Sequence, residues 1–278
     1  MLYLSQNETL SARGLGLKLI TLLTDFGLQD GYPGIMKGVI WGIAPDVQIA
    51  DLTHLIHAQD ILEGALALGR SAPYFPPGTI HVAVVDPGVG THRRAMAAQI
   101  GSSYFVGPDN GLCTALLEQA DEKGLPFQAV QLDQPRFWLP EVSSVFHGRD
   151  IFAPVAAHLA NGIPLADLGT PMANPQRLDL PHPRRAGGGW VGQVIIVDNF
   201  GNLSTNLERK HLEGLGEVRL RVGGREVKGI VNTFGDRPPG ELVALFGEVG
   251  DLTVSIVNGS AARELHCGIG DPVELLPG

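Results

Sequence analysis

The chain has 278 residues, of which 44% are hydrophobic and 18% charged, and this composition excludes a disordered or collagen-like protein. Its length is that of about two domains. The formal net charge is −9, and because nucleic acids and anionic membranes attract positive charge, neither is an expected partner.

The first half of the chain alternates short apolar runs with helical spacings of apolar residues. The predicted strands cover residues 19–23, 47–52 and 79–85, and the predicted helices cover 35–43, 61–68, 112–119 and 151–159. This alternation predicts an α/β domain in which a mostly parallel sheet is sandwiched between helices. Asp150 is a candidate N-cap for the last of these helices.

Three aspartates, Asp25, Asp51 and Asp86, lie where the three predicted strands end. Ligands of open α/β sheets bind beyond the carboxyl ends of the strands, so these residues mark a candidate site. Aspartate after a strand is also ordinary turn chemistry, and the residues alone leave both interpretations open.

The second half of the chain changes character after a stretch at 174–188 that is rich in Pro, Arg and Gly and is typical of a linker. Six strand candidates follow, separated by glycine-rich turns, at residues 191–197, 218–222, 226–231, 242–246, 252–257 and 272–276. They predict a small antiparallel β-barrel or sandwich. The expected domains are therefore 17–173 and 189–278. We expect residues 1–16 to be a poorly ordered extension or the result of a start codon placed too early.

The two cysteines, Cys113 and Cys267, are far apart and lack metal-ligand spacing. They predict free thiols in a reducing compartment, which favours a cytoplasmic protein. No apolar run reaches the ~18 residues that suggest a membrane span.

Four segments contain more polar residues and glycines than a scaffold needs. They contain Thr24-Asp25-Phe26-Gly27, Asp86-Pro87-Gly88-Val89-Gly90, Phe146-His147-Gly148 and Asp198-Asn199-Phe200-Gly201-Asn202. A divalent metal could bind the aspartates and His147, but no spacing places two ligands on one element, so no metal is predicted. The glycines could cradle a phosphate, but the P-loop lysine is missing and nearby aspartates repel phosphate. A nucleoside bearing positive charge fits better, because aspartate binds hydroxyls or an ammonium while Phe and Asn hold a base.

The order and spacing of these segments resemble the S-adenosylmethionine (SAM) hydroxide adenosyltransferases, the adenosine-forming SAM hydrolases, which are relatives of fluorinase and chlorinase. The shared motifs are TDFG…D.Y.G..KG, DPGVGT.R, PDNG, FHGRDIFAPVAA and VD.FGN..TN, running from about Leu19 to about Leu276. The resemblance implies an N-terminal α/β domain, a C-terminal β-barrel, and a homotrimer with each site at a subunit interface. The implied reaction converts SAM and water to adenosine and L-methionine by attack at ribose C5′, with SAM as substrate and no cofactor.

The resemblance implies a catalytic triad of Asp86, Arg93 and His147 that holds the attacking water. Arg93 would stabilise hydroxide character, Asp86 would orient the water or accept its proton, and His147 would complete the water site. Which group takes the proton stays open. The alternative is that Asp86 and Arg93 only form a salt bridge that braces the turn.

The resemblance also implies substrate contacts. Asp25 matches the residue that grips the ribose 2′- and 3′-hydroxyls, and Asp198 matches the one that pairs with the methionine ammonium. Phe146 is a further substrate-binding candidate, and Phe200 and Asn202 match residues that hold the adenine. Asn202 could instead be a left-handed turn residue after Gly201.

Several departures from the halogenating relatives favour water over halide. Those relatives have an aromatic-proline pair at Asp86-Pro87, a Tyr-Ser pair at His147-Gly148, and a loop insertion that the stretch 95–107 cannot contain. Near the C-terminus the family pattern matches only partly, and Arg263 is the candidate partner of the substrate carboxylate. Lys37 is either a site residue or a solvated helix residue. The competing functions are a SAM-dependent halogenase and a non-catalytic protein that binds SAM or adenosine.

Overall fold

The computed structural model describes residues 18–247 and 249–278, and its chain divides into two compact units after Leu178. This division falls inside the stretch predicted as a linker. The expectation for residues 1–16 lies outside the described residues. None of the helices within the described ranges combines the length and apolar character needed to cross a bilayer.

The N-terminal unit is built on a seven-stranded sheet with the order β2-β1-β3-β5-β4-β6-β7. Its strands are β1 (Leu19–Thr24), β2 (Gln48–Thr53), β3 (Ile80–Val84), β4 (Ala95–Ile100), β5 (Ser103–Pro108), β6 (Phe127–Leu132) and β7 (Gly169–Pro171), and its α-helices are α1 (Tyr32–Ile43), α2 (Ile61–Ser71), α3 (Thr114–Lys123) and α4 (Ala153–Ala160). Strands β2, β1, β3 and β5 run parallel, whereas β4, β6 and β7 extend the sheet by antiparallel pairing. The predicted α/β class is confirmed.

Helices cover both faces of this sheet because neighbouring residues on a strand point to opposite faces. On one face, Ile20 and Leu22 of β1 belong to the same buried cluster as Met36 and Ile40 of α1. On the other face, Leu23 belongs to a cluster with residues of α2 and α3. A strand buried on both faces contains a continuous apolar run, and β1 and β3 were recognisable in the sequence for this reason.

The helix predicted at 151–159 begins differently from the expectation. A π-helical turn at Gly148–Phe152 leads directly into α4, and no side chain caps α4. The prediction of Asp150 as an N-cap is therefore wrong. Its buried carboxylate instead accepts a hydrogen bond from Ser143 N at 2.8 Å and pairs with Arg149 Nε at 2.5 Å.

The C-terminal unit is an antiparallel sheet with the order β12-β11-β15-β9-β10-β14-β13, with β8 paired to β9. Its elements are β8 (Arg184–Ala186), β9 (Gly189–Val197), β10 (Leu203–Glu208), β11 (Val218–Val222), β12 (Arg225–Lys228), β13 (Leu242–Phe246), β14 (Asp251–Ile256), α5 (Ala261–Leu265) and β15 (Pro272–Pro277). Just beyond β12, Val231 N donates to Ala244 O in β13 at 2.9 Å, so the two edges nearly close. The predicted antiparallel barrel is confirmed.

Candidate active site

The three predicted catalytic side chains, Asp86, Arg93 and His147, are in direct contact in the N-terminal unit. Arg93 Nε donates to Asp86 Oδ1 at 3.0 Å, and Arg93 Nη2 donates to Asp86 Oδ2 at 2.6 Å. The same Nη2 lies 2.9 Å from His147 Nδ1. The Arg93 and Asp86 side chains are only 7% and 5% exposed, so this bidentate pair is shielded from water.

The turn after β3 brings Asp86 and Arg93 together. Val89 N donates to Asp86 O at 3.2 Å, and the chain folds back through Gly90, whose φ is +75°. A Cβ atom at Gly90 would lie 2.2 Å from Ser144 O, so this turn touches the segment that leads to His147. Glycine is required here both for its φ and for the close approach.

The segment before His147, residues 143–146, is hydrogen-bonded to the π-helical turn. Phe146 N donates to Ser143 Oγ at 3.0 Å, and Ser143 N donates to the buried Asp150 carboxylate. Arg93 Cζ lies 5.5 Å from the centre of the Phe152 ring in the same turn. The turn therefore supports the imidazole and the guanidinium from one side.

The contact with Arg93 determines the tautomer of His147. A guanidinium only donates hydrogen bonds, so His147 Nδ1 must accept and the imidazole proton must be on Nε2. Burial and the positive charge of Arg93 lower the pKa of His147, which is therefore neutral at neutral pH. Burial raises the pKa of Asp86, although the charge and hydrogen bonds of Arg93 oppose this shift.

Asp25 and Phe146, the two substrate-binding candidates of this unit, lie on loops that contact each other. Asp25 Oδ2 accepts a hydrogen bond from Gln59 N at 2.8 Å. The ring of Phe26, the next residue, meets the Phe146 ring edge to face with 5.7 Å between centroids, and Phe146 directly precedes His147. Tyr32 completes the aromatic cluster at 5.3 Å from Phe146. The structure thus brings the Asp25 loop next to the triad.

The remaining candidates form one cluster in the C-terminal unit, on the turn between β9 and β10. Asp198 Oδ1 accepts from Phe200 N and Asn202 N, both at 2.9 Å, and its Oδ2 accepts from Asn202 Nδ2 at 2.7 Å. The Phe200 ring is 74% exposed. Gly201, with φ +83°, takes the left-handed conformation that the sequence also allowed for Asn202. Arg263 is exposed on α5.

Sequence reasoning missed a second polar cluster in the N-terminal unit. Lys37 Nζ lies 2.6 Å from Asp51 Oδ2, and Asp51 Oδ1 lies 3.1 Å from Nε2 of the buried His54. Lys37 is therefore paired with a carboxylate and is not a solvated helix residue. His54 stands in a loop without periodic pattern, and only Asp51 at a strand end hinted at this cluster. Within the residues that the structure describes, no three His, Cys, Asp or Glu side chains could hold a metal ion.

Comparison with known protein families gives two adjacent matches along the chain. Residues 20–169 match the SAM hydroxide adenosyltransferase N-terminal domain, and residues 192–274 match the C-terminal domain of the same family. Together the matches cover most of the chain, with the triad in the first and the Asp198 cluster in the second.

Curated relatives are similar to this chain over most of their length. The chain is 43% identical over 263 residues to an (R)-S-adenosyl-L-methionine hydrolase of Salinispora tropica, covering 93% of this chain and 98% of the relative. It is 42% identical over 272 residues to the protein of the same name from Thermus thermophilus, covering 94% and 100%. A fluorinase of an Actinoplanes species is more distant, at 30% identity over 87% of this chain and 88% of the relative.

Two solved structures have the same fold. An uncharacterized conserved protein from Thermotoga maritima has a TM-score of 0.86 at 36% identity, and a conserved hypothetical protein from Thermus thermophilus has a TM-score of 0.73 at 40% identity. Each comparison covers 92% of this chain and 99% of the other.

Proposed function

The chain belongs to the SAM hydroxide adenosyltransferase family, and we propose that it hydrolyses SAM to adenosine and L-methionine by attack of water or hydroxide at ribose C5′. The observation that carries this proposal is the shielded contact of Asp86 and His147 with one guanidinium, that of Arg93. In the balanced reaction the C5′–O bond forms, the C5′–S bond breaks with its electron pair passing to sulfur, and one proton is released.

The difficult part of this reaction is the nucleophile. The sulfonium leaves as a neutral thioether and needs no acid, whereas free water is a very weak acid that is hardly ionised at neutral pH. The Nε2 proton of His147 and the charge of Arg93 stabilise hydroxide character on the attacking oxygen. Because this tautomer of His147 donates from Nε2, Asp86 is the group that accepts the proton. Its raised pKa makes its carboxylate the stronger base.

The substrate is held by the remaining candidates. Asp25 binds the ribose hydroxyls, Phe200 and Asn202 hold the adenine, and Phe146 is a further substrate contact. Asp198 binds the methionine ammonium, since three donors of its own turn fix the carboxylate and leave one of its about four acceptor sites free.

The protein acts as a homotrimer with the active sites at subunit interfaces, and the cytoplasm is its compartment. Three exposed apolar side chains near the site, Leu28, Tyr32 and Val145 at 69%, 46% and 78%, support a subunit interface there. Light scattering that gave the mass of one chain would contradict the trimer.

The free thiols of Cys113 and Cys267 support a reducing compartment.

An isotope experiment tests the reaction. Incubation with SAM in water enriched in ¹⁸O should give adenosine that is heavier by one label at its 5′-oxygen, measured by mass spectrometry. The same incubation with added fluoride or chloride should give no 5′-halo-5′-deoxyadenosine. Halogenated product would instead assign the chain to the chemistry of its fluorinase relatives, and quantitative recovery of intact SAM would indicate a binding protein without turnover.

Gly90→Ala should reduce adenosine formation about 100-fold, because a misplacement of about 1 Å at a catalytic group has an effect of this size. The added Cβ would lie 2.2 Å from Ser144 O, so the turn and the His147 segment must separate. Gly88→Ala in the same turn is the control, because its Cβ would meet Arg93 at an ordinary 3.5 Å. Steady-state rates of both variants check this, and equal rates would show that the close approach is not needed.

A further inference from the structure

A chain of polar contacts runs behind the loop that carries Asp25. From the surface inward, Lys37 Nζ contacts Asp51 Oδ2 at 2.6 Å, and Asp51 Oδ1 lies 3.1 Å from His54 Nε2. His54 Nδ1 lies 2.9 Å from Thr24 Oγ1. Thr24 is fully buried and His54 is 3% exposed, whereas the Lys37 side chain is 24% exposed. The proposed reaction uses none of these four groups.

The hydrogen positions along this chain follow from its two ends. Thr24 Oγ1 accepts from Phe26 N at 3.2 Å and keeps one proton and one lone pair, so it can pair with either tautomer of His54. The Asp51 carboxylate can only accept and lies 3.1 Å from His54 Nε2, so it favours the tautomer with the proton on Nε2 and with Nδ1 accepting from Thr24. Burial opposes ionisation of Asp51, but its hydrogen bonds with Lys37 and His54 hold its pKa below the usual value. The charged carboxylate therefore favours this tautomer and this orientation of the ring.

The contacts of His54 enclose the turn that presents Asp25. On the N-terminal side of Asp25, the His54 ring holds Thr24, whose hydroxyl binds Phe26 N. On the C-terminal side, Gly27 N donates to His54 O at 2.7 Å. A third contact from the same loop, Gln59 N, binds the Asp25 carboxylate itself. The backbone on both sides of Asp25 is thus tied to one histidine.

We infer that His54, oriented by Asp51 and Lys37, is a positioning residue that acts through Thr24 to hold the Asp25 carboxylate in the geometry that selects the 2′-hydroxyl of the ribose. This inference rests on the role of Asp25 in the proposed function. A loose carboxylate would still attract the cationic substrate, but it would lose the directed hydrogen bonds that distinguish a ribose from a deoxyribose.

Binding of adenosine and 2′-deoxyadenosine, measured by calorimetry, tests the inference without relying on turnover. We expect the unmodified protein to bind adenosine about 10- to 100-fold more tightly than 2′-deoxyadenosine. One hydrogen bond to a charged group changes affinity by a factor of this size. Thr24→Val removes only the hydroxyl and should lower this preference about tenfold, mainly through weaker adenosine binding. Thr24→Ser restores the hydroxyl and should restore the preference. A structural role alone would weaken both ligands equally and leave the ratio unchanged.

The outcomes separate this inference from the proposed function. A protein that prefers adenosine but leaves SAM intact would contradict only the proposed hydrolysis. An unchanged ratio in Thr24→Val, or the absence of any preference in the unmodified protein, would overturn the inference even if hydrolysis is observed. Lys37→Met, at the solvent end of the chain, is the second variant if Thr24→Val does not fold. A smaller loss of preference in that variant supports the inference, and an unchanged ratio overturns it.

Discussion

Replacing Arg93 by methionine should lower the rate of adenosine formation about 10³-fold while SAM binding changes little, because a preorganised donor aimed at developing negative charge has an effect of this size. Arg93 contacts both Asp86 and His147, so its loss removes the positive charge beside the nucleophile and leaves His147 Nδ1 without its donor. The single-turnover rate and the Kd for SAM, measured separately, check this prediction. A rate within threefold of the unmodified protein would remove Arg93 from the mechanism.

The same substitution also removes a shielded ion pair, and this structural effect needs its own control. Breaking a buried pair by removing one partner destabilises a protein by about 3–5 kcal/mol. The neighbouring Arg94 offers a matched case, since its Nε donates at 2.7 Å to Asp109, whose side chain is fully buried. Arg94→Met should destabilise the fold on a similar scale but leave adenosine formation unchanged at a temperature at which both variants are folded. Equal rate losses in the two variants would attribute the effect of Arg93→Met to folding rather than chemistry.

The parts of the fold that were predictable have a local signal. The apolar runs of β1 and β3 and the helical spacing in α1 and α2 are properties of neighbouring residues, and the structure contains all four elements. Strands β4 and β6 were missed because AMAAQI and FQAVQL contain few β-branched residues and no alternation of polar and apolar residues. Their strand conformation depends on pairing with β5 and with each other, which no local pattern reports.

In the candidate site, too, the identities of the residues were predictable from local motifs, whereas their mutual contacts were not. Motifs located Asp86, Arg93 and His147, but their mutual contact depends on a turn and on a segment 54 residues further along the chain from Arg93. The tautomer of His147 and the role of His54 follow from single atoms that face each other, and a sequence contains no such information. The roles of the substrate-binding residues stay predictions.

The buried histidine His81 should make the stability of the protein depend on pH in the acid range. It lies fully buried on β3, where Nδ1 is 2.8 Å from Thr21 Oγ1 and Nε2 has no hydrogen-bond partner among the described residues. Phe75 packs edge to face against the ring at 5.8 Å. This burial lowers the pKa of His81 from 6.5 to about 4, because the charged imidazolium would lose its hydration.

The direction of the effect follows from the protons bound in each state. Between pH 6.5 and about 4 the unfolded chain protonates at this position and the folded protein does not, so the free energy of unfolding falls as the pH is lowered. The full contribution of His81, about 3 kcal/mol, is present above pH 6.5 and is lost as the pH falls to 4. Urea unfolding at several pH values measures this slope. In His81→Asn, which has no titrating group there, the total fall in the free energy of unfolding between pH 6.5 and 4 should be smaller by about 3 kcal/mol.

The exposed His57 is the control for His81, because its pKa is shifted in the opposite direction. Its hydrogen bond with Glu63 raises the pKa of His57, so its contribution to stability is present at acid pH and is lost as the pH rises. His57→Asn should therefore leave the acid-range fall in stability at least as steep as in the unmodified protein. If His81→Asn retained the whole acid-range fall as well, the acid sensitivity would belong to other groups, such as the half-buried His147, and His81 would have to be protonated inside the fold.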